Sequence, residues 1–123
     1  MASVGELRID HERERSRQTI ALAGELDLVT SPALSEAVDR ALDSGVKELT
    51  LDLRGLVFMD SSGLRALLAS WDACRARRCE LRVIPDRGAC LRLFEITGVI
   101  DELPLSEPPL RPAPGAVSAQ RRD

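Results

Sequence analysis

The chain has 123 residues, 44% of them hydrophobic, enough for one compact domain with a modest core. Its formal charge of -3, with 17 basic side chains spread along the sequence and not gathered into one block, excludes a general attraction to nucleic acid. No apolar run approaches the roughly 20 residues that cross a bilayer, and the opening MASVGELRID has no hydrophobic signal core, so a cytoplasmic protein without a membrane partner is expected.

Two alternating apolar segments come first, about Glu6 to Asp10 and Gln18 to Asp27, with the charged stretch HERERSR between them as a solvated turn. This pattern predicts a hairpin. The run LVTSPALSEAVDRALDSG then carries helix punctuation: Ser31 as N-cap, Pro32 at the first helical position and Gly45 as the stop. Leu34, Ala37, Val38, Ala41 and Leu42 recur at helical spacing, giving one apolar face opposite Glu36, Asp39, Arg40 and Asp43. From Glu48 to Arg54 the period is two, with Leu49, Leu51 and Leu53 on one face, which predicts a half-buried strand.

At Ser61 the period changes back to helical, and Leu64, Leu67, Leu68, Trp71 and Cys74 form a stripe running toward Arg77. The segment CELRVI, residues 79 to 84, reads as another strand. A third helix is expected from Asp86, as its cap, to Thr97, ended by Gly98, with Leu91, Leu93 and Phe94 available to the core. A short strand near VIDELPL closes the domain at about residue 105. The remaining SEPPLRPAPGAVSAQRRD is rich in proline and charge without a periodic apolar face, so residues 106–123 are expected to be a disordered tail. Cys74, Cys79 and Cys90 are odd in number and lie in amphipathic segments, which suits reduced core residues.

This order of elements implies an α/β domain: a mixed, mostly parallel sheet after an N-terminal hairpin, joined by right-handed crossovers. The strands alternate and are not continuously apolar, so the three helices are expected mainly on one sheet face, with the other face partly polar. The carboxyl ends of parallel strands share an edge, where ligand and partner sites tend to lie. That edge brings Asp27 and Thr30 of GELDLVTS near Ser61 of FMDSSGL. There, at a helix start, Asp60 or Ser61 serves as an N-cap, Ser62 as a first-turn hydroxyl and Gly63 as a close-packing residue. Alternatively, one serine is a phosphoacceptor. Composition does not choose between these readings.

A catalytic serine would need a base. His11 is the single histidine and lies in the charged hairpin turn, while Lys47, the single lysine, opens a strand at the opposite edge. No nucleophile elbow, phosphate loop or zinc spacing is present, so no enzyme activity, metal or cofactor is expected.

The run LTLDLRGLVFMDSSGLRALLAS, preceded by GELDLVTSPAL and followed by LRLFEITGVIDEL, resembles the STAS-domain anti-sigma factor antagonists of bacterial partner-switching systems. The similarity covers about residues 5 to 103. It implies that the unphosphorylated chain binds an anti-sigma factor that is also a serine kinase, releasing a sigma factor. It further implies Ser61 as the phosphoacceptor, phosphorylation that weakens binding, and a PP2C-type phosphatase that reverses it. In this resemblance Asp60 matches the motif acid, Asp27 the acid of the docking edge, and Ser62 a structural neighbour of the acceptor. Val29, Met59 and Leu64, with Thr30 and Gly63 nearby, are candidate partner contacts, and Phe58 is read as packing. STAS modules also occur as non-enzymatic subunits of transporters, lipid-transfer assemblies and stress-sensing complexes. The serine acceptor favours the stand-alone antagonist over these.

Overall fold

The computed structural model describes residues 2–4, 6–99 and 101–106. Its elements are β1 (Ala2–Val4), β2 (Leu7–Glu14), β3 (Arg17–Leu26), α1 (Ser31–Asp43), β4 (Glu48–Met59), α2 (Ser61–Ala76), β5 (Glu80–Ile84) and α3 (Ala89–Thr97). The strands form one five-stranded sheet in chain order, antiparallel from β1 to β3 and parallel from β3 to β5. The expected short final strand is a single parallel bridge, Val83 to Leu105. Around it the Val83 N–H donates to the Pro104 carbonyl at 2.9 Å, and the Ser106 N–H donates to the Val83 carbonyl at 2.8 Å. The expected tail beyond Ser106 lies outside the described residues.

Both crossovers, through α1 and through α2, step in the same direction across the sheet. The right-handed rule therefore places the two helices on one face, where they pack against each other. That face holds Ile9, Ile20, Leu22, Leu49, Leu51, Leu81 and Val83 in one contiguous core. Cys90, Phe94 and Leu103 belong to the same cluster, so α3 and the segment after it cover this face too. Each fully buried leucine there contributes on the order of 2 kcal/mol. The other face carries ion pairs between neighbouring side chains: Arg8 with Asp10 at 3.2 Å, Arg17 with Glu48 at 3.2 Å and Arg82 with Glu80 at 3.5 Å. Asp52, buried on this face, is gripped by Arg54 at 2.7 Å, and this hydrogen bond holds the Arg54 guanidinium above its ordinary pKa.

Several boundaries differ from the sequence reading, each for a physical reason. The hairpin strands run through most of HERERSR, leaving only Arg15 and Ser16 as the turn, because strand pairing satisfies the backbone while these side chains remain in water. In α1, Thr30 and not Ser31 is the N-cap residue, and its hydroxyl is committed inward. Helix α3 starts at Ala89 behind Gly88, so Asp86 is not its cap; the Asp86 carboxylate instead accepts the Gly88 N–H.

Strand β4 continues to Met59 because it contains two bulges, one between the pairs Ala21/Asp52 and Ala23/Gly55 and one between Gly24/Leu56 and Glu25/Phe58. The second leaves Val57 without a partner residue on β3. All three cysteines are free and buried. Among the described residues no helix is long and apolar enough to cross a membrane.

Candidate functional site

The edge at the carboxyl ends of β3 and β4 is built by two loops whose backbone groups are held by their own acids. After β3, one Asp27 carboxylate oxygen accepts the N–H groups of Val29 at 3.0 Å and Thr30 at 3.1 Å. Thr30 closes the loop from inside: its hydroxyl donates to the Glu25 carbonyl at 2.9 Å and accepts the Asp27 N–H at 2.9 Å. Buried and bonded this way, Thr30 fixes the loop and offers nothing to solvent. After β4, Asp60 is the N-cap of α2, and one of its carboxylate oxygens accepts the N–H groups of Ser62 at 2.9 Å and Gly63 at 3.1 Å.

The two loops meet. The Asp60 N–H donates to the Leu26 carbonyl at 3.4 Å, and Ser31 Oγ, which donates to the Asp27 carbonyl, stands 3.4 Å from the Ser62 carbonyl. Gly63 seats the first turn of α2 directly on the end of β3. A Cβ there would lie 2.5 Å from the Leu26 carbonyl oxygen and 2.9 Å from the Met59 side chain. Of the two residues offered as the cap, the structure selects Asp60. Ser62 is half-buried behind it, and Ser61 is exposed, with no hydrogen bond to its hydroxyl among the described residues.

Apolar side chains stand in water in the loops and strand end of this edge. Val29 is 72% exposed, as is Leu28 beside it, and Val57 is 73% and Phe58 44% exposed. Of the three apolar contacts expected from sequence, only Val29 is therefore on the surface: Met59 and Leu64 are 5% and 7% exposed and belong to the core. Met59 pairs with Leu26 at the base of the edge, and Leu64 belongs to the inward stripe of α2. Phe58, read as packing, is turned outward because the bulge at Val57 shifts the alternation by one residue. Leu28 and Val57 were missed by the sequence reading; an apolar pair in the short loop after GELD is the signal that would have found Leu28.

Chemically, the edge offers a hydroxyl, two carboxylates and a patch of exposed hydrocarbon. His11 is in the hairpin, within 3.1 Å of Gln18, and Lys47 precedes β4 at its far end, so neither is at the edge that holds Ser61. Among the described residues no group of His, Cys, Asp and Glu is arranged to hold a metal ion. Asp60 already occupies the N–H groups of Ser62 and Gly63, so these donors are not free to receive an anion on Ser61.

Comparison with known proteins places this architecture. The family model described as Mlab, STAS domain, matches residues 9–106. The anti-sigma-B factor antagonist of Listeria monocytogenes is 35% identical over 91 residues, covering 73% of this chain and 79% of that protein. An anti-sigma factor antagonist from Mycobacterium paratuberculosis superposes with a TM-score of 0.74 at 27% identity, covering 94% of each chain. The phosphorylated form of SpoIIAA, a Bacillus cell fate determinant, shares the fold with a TM-score of 0.65 at 19% identity, covering 94% of this chain and 100% of that one. With the fold, the capped Asp60-Ser61-Ser62-Gly63 helix start and these similarities in agreement, the chain belongs to the STAS-domain family of anti-sigma factor antagonists.

Proposed function

We propose that this chain, acting in the cytoplasm, binds an anti-sigma factor with serine kinase activity through the edge around Ser61 and thereby frees a sigma factor. Phosphorylation of Ser61 dissociates the pair, and a PP2C-type phosphatase restores it. The chain is the substrate in this cycle and catalyses none of its steps. The observation that carries the reading is the exposed, unbonded Ser61 hydroxyl beside Leu28, Val29, Val57 and Phe58. A neutral serine leaves that patch free to dock. A phosphoryl group adds about -1.5 to -2 charges next to Asp60 and confronts the partner with like charge and trapped water. A loss of about 3 to 4 kcal/mol lowers affinity by two to three powers of ten, with no change of fold.

Incubation with candidate anti-sigma kinases and ATP, followed by phosphate mapping and affinity measurement, tests this. Phosphate on Ser61 and a matching loss of affinity are expected, and Ser61→Ala binds without accepting phosphate. Phosphate on another residue alone, or equal affinity of the two forms, overturns the assignment.

A further inference from the structure

At the opposite end of the sheet from Ser61, the hairpin turn, the start of β4 and the corner between α2 and β5 are joined by backbone bonds. The Ser16 carbonyl accepts the N–H groups of Lys47 at 2.7 Å and Glu48 at 3.1 Å, and the Lys47 carbonyl accepts the Glu80 N–H at 2.9 Å. Two unusual residues flank this row. Among the described residues, Arg15 and Arg78 are the only ones other than glycine with positive φ, at 61° and 58°.

Both stand where glycine is the ordinary occupant. Arg15 is the first residue of a two-residue loop between Glu14 and Arg17, with positive φ at that first position only. Arg78 ends α2: its N–H donates to the Arg75 carbonyl at 3.2 Å, and the Cys79 N–H donates to the Cys74 carbonyl at 2.8 Å. The same pair of bonds ends α1 at Gly45 and α3 at Gly98, both glycines with positive φ. A left-handed arginine carries a steric cost that glycine does not, so its recurrence at one pole points to its side chain.

The acids of this pole are taken by other arginines: Glu48 by Arg17 at 3.2 Å, Asp43 by Arg77 at 2.9 Å and Glu80 by Arg82 at 3.5 Å. The exposed side chains of Arg15, Lys47 and Arg78 make no hydrogen bond or ion pair among the described residues, and Glu14 is the acid left near them. We propose that Arg15, Lys47 and Arg78 form a second docking surface for an acidic segment of a protein partner. Guanidinium forks grip carboxylates in two-point contact. The three cations are interspersed with the acids of this pole, which suits a short acidic segment better than the continuous charge of a nucleic-acid strand.

The full chain would be titrated at low salt against a fluorescein-labelled peptide of alternating aspartate and serine, and against oligothymidylate of equal charge. Expected are salt-sensitive binding of the peptide in preference to the oligonucleotide, and a loss of about tenfold or more in the double variant R15G/R78G. The urea midpoint of that variant should stay level or rise, since glycine relieves both left-handed positions. Its binding to the anti-sigma partner should be unchanged. Failure of the wild-type chain to bind the peptide, equal binding by the double variant, or tighter binding of the oligonucleotide overturns the proposal. So does self-association in sedimentation that the double variant abolishes, which would assign the surface to a second copy of the chain.

Discussion

Gly63 meets the Leu26 carbonyl so closely that a Cβ would sit 2.5 Å from that oxygen, with a Leu26 side-chain carbon at 3.0 Å. This contact sets how far the first turn of α2, and with it Ser61, projects from the sheet. Gly63→Ala should therefore cost about 1 to 3 kcal/mol in urea unfolding, in the range of other overpacking changes. It should also slow phosphorylation of Ser61, because α2 can relieve the overlap only by moving its first turn outward. An alanine variant of wild-type stability would show that the backbone yields more readily than this contact implies.

Asp60 has two separable roles, as a cap and as a charge. Asp60→Ala, which leaves the Ser62 and Gly63 N–H groups without their acceptor, should lose about 1 kcal/mol by the same measurement. Asp60→Asn keeps an oxygen acceptor and should stay within about 0.5 kcal/mol of the wild type. With its negative charge gone, the asparagine variant should also show a smaller affinity difference between its phosphorylated and unmodified forms, read by calorimetry.

Val57 and Leu28 have no packing role that would explain an apolar side chain in water. Val57→Asp and Leu28→Asp should each change stability by no more than about 0.5 kcal/mol. Affinity for the anti-sigma partner, measured by titration, should fall about tenfold or more in both. A variant that unfolds early instead would place the residue in the core.

The legible and illegible parts of the fold divide along the same residues. A helix start at Asp60 or Ser61, Gly45 and Gly98 as helix ends, and the inward stripe of α2 follow from local chemistry and a regular period; the structure shows the last three and selects Asp60 as the cap. The stop of α2 at Arg78 is not legible, because the conformation that ends the helix is the same but the residue that normally marks it is absent. Exposure at Val57 and Phe58 is hidden for another reason. Alternation predicts a face only while the strand pairs one residue against one, and β4 adds a residue at each of its two bulges. At the edge formed by the carboxyl ends of β3 and β4, the meeting of Asp27 and Thr30 with Asp60 and Ser61 was readable, while most of the exposed apolar surface there was not.

Burial of the thiols makes stability depend on pH in the alkaline range. Burial first, then the neighbouring Cys79, pushes the Cys74 thiol from 9.0 up to about 12, and burial also raises Cys79 and Cys90. The native state thus keeps protons that the unfolded chain releases. The stabilisation is fully present below 9.0 and is lost as pH rises toward about 12. Cys74→Ala should lose about 1 kcal/mol at neutral pH from the cavity. Its urea midpoint should then fall less steeply than that of the wild type over the same alkaline window.

The grip of Asp60 on the Ser62 and Gly63 N–H groups has a consequence for time. With those donors occupied, a phosphoryl group placed on Ser61 by the proposed cycle would gain no bond from them and would stay within reach of a hydrolase that meets the edge. Its lifetime would then follow encounter with enzymes instead of a slow opening of the protein. Under that proposal the marked fraction would track the current ratio of kinase to phosphatase activity, and the record of a past signal would be kept in the amounts of those enzymes, not in this chain.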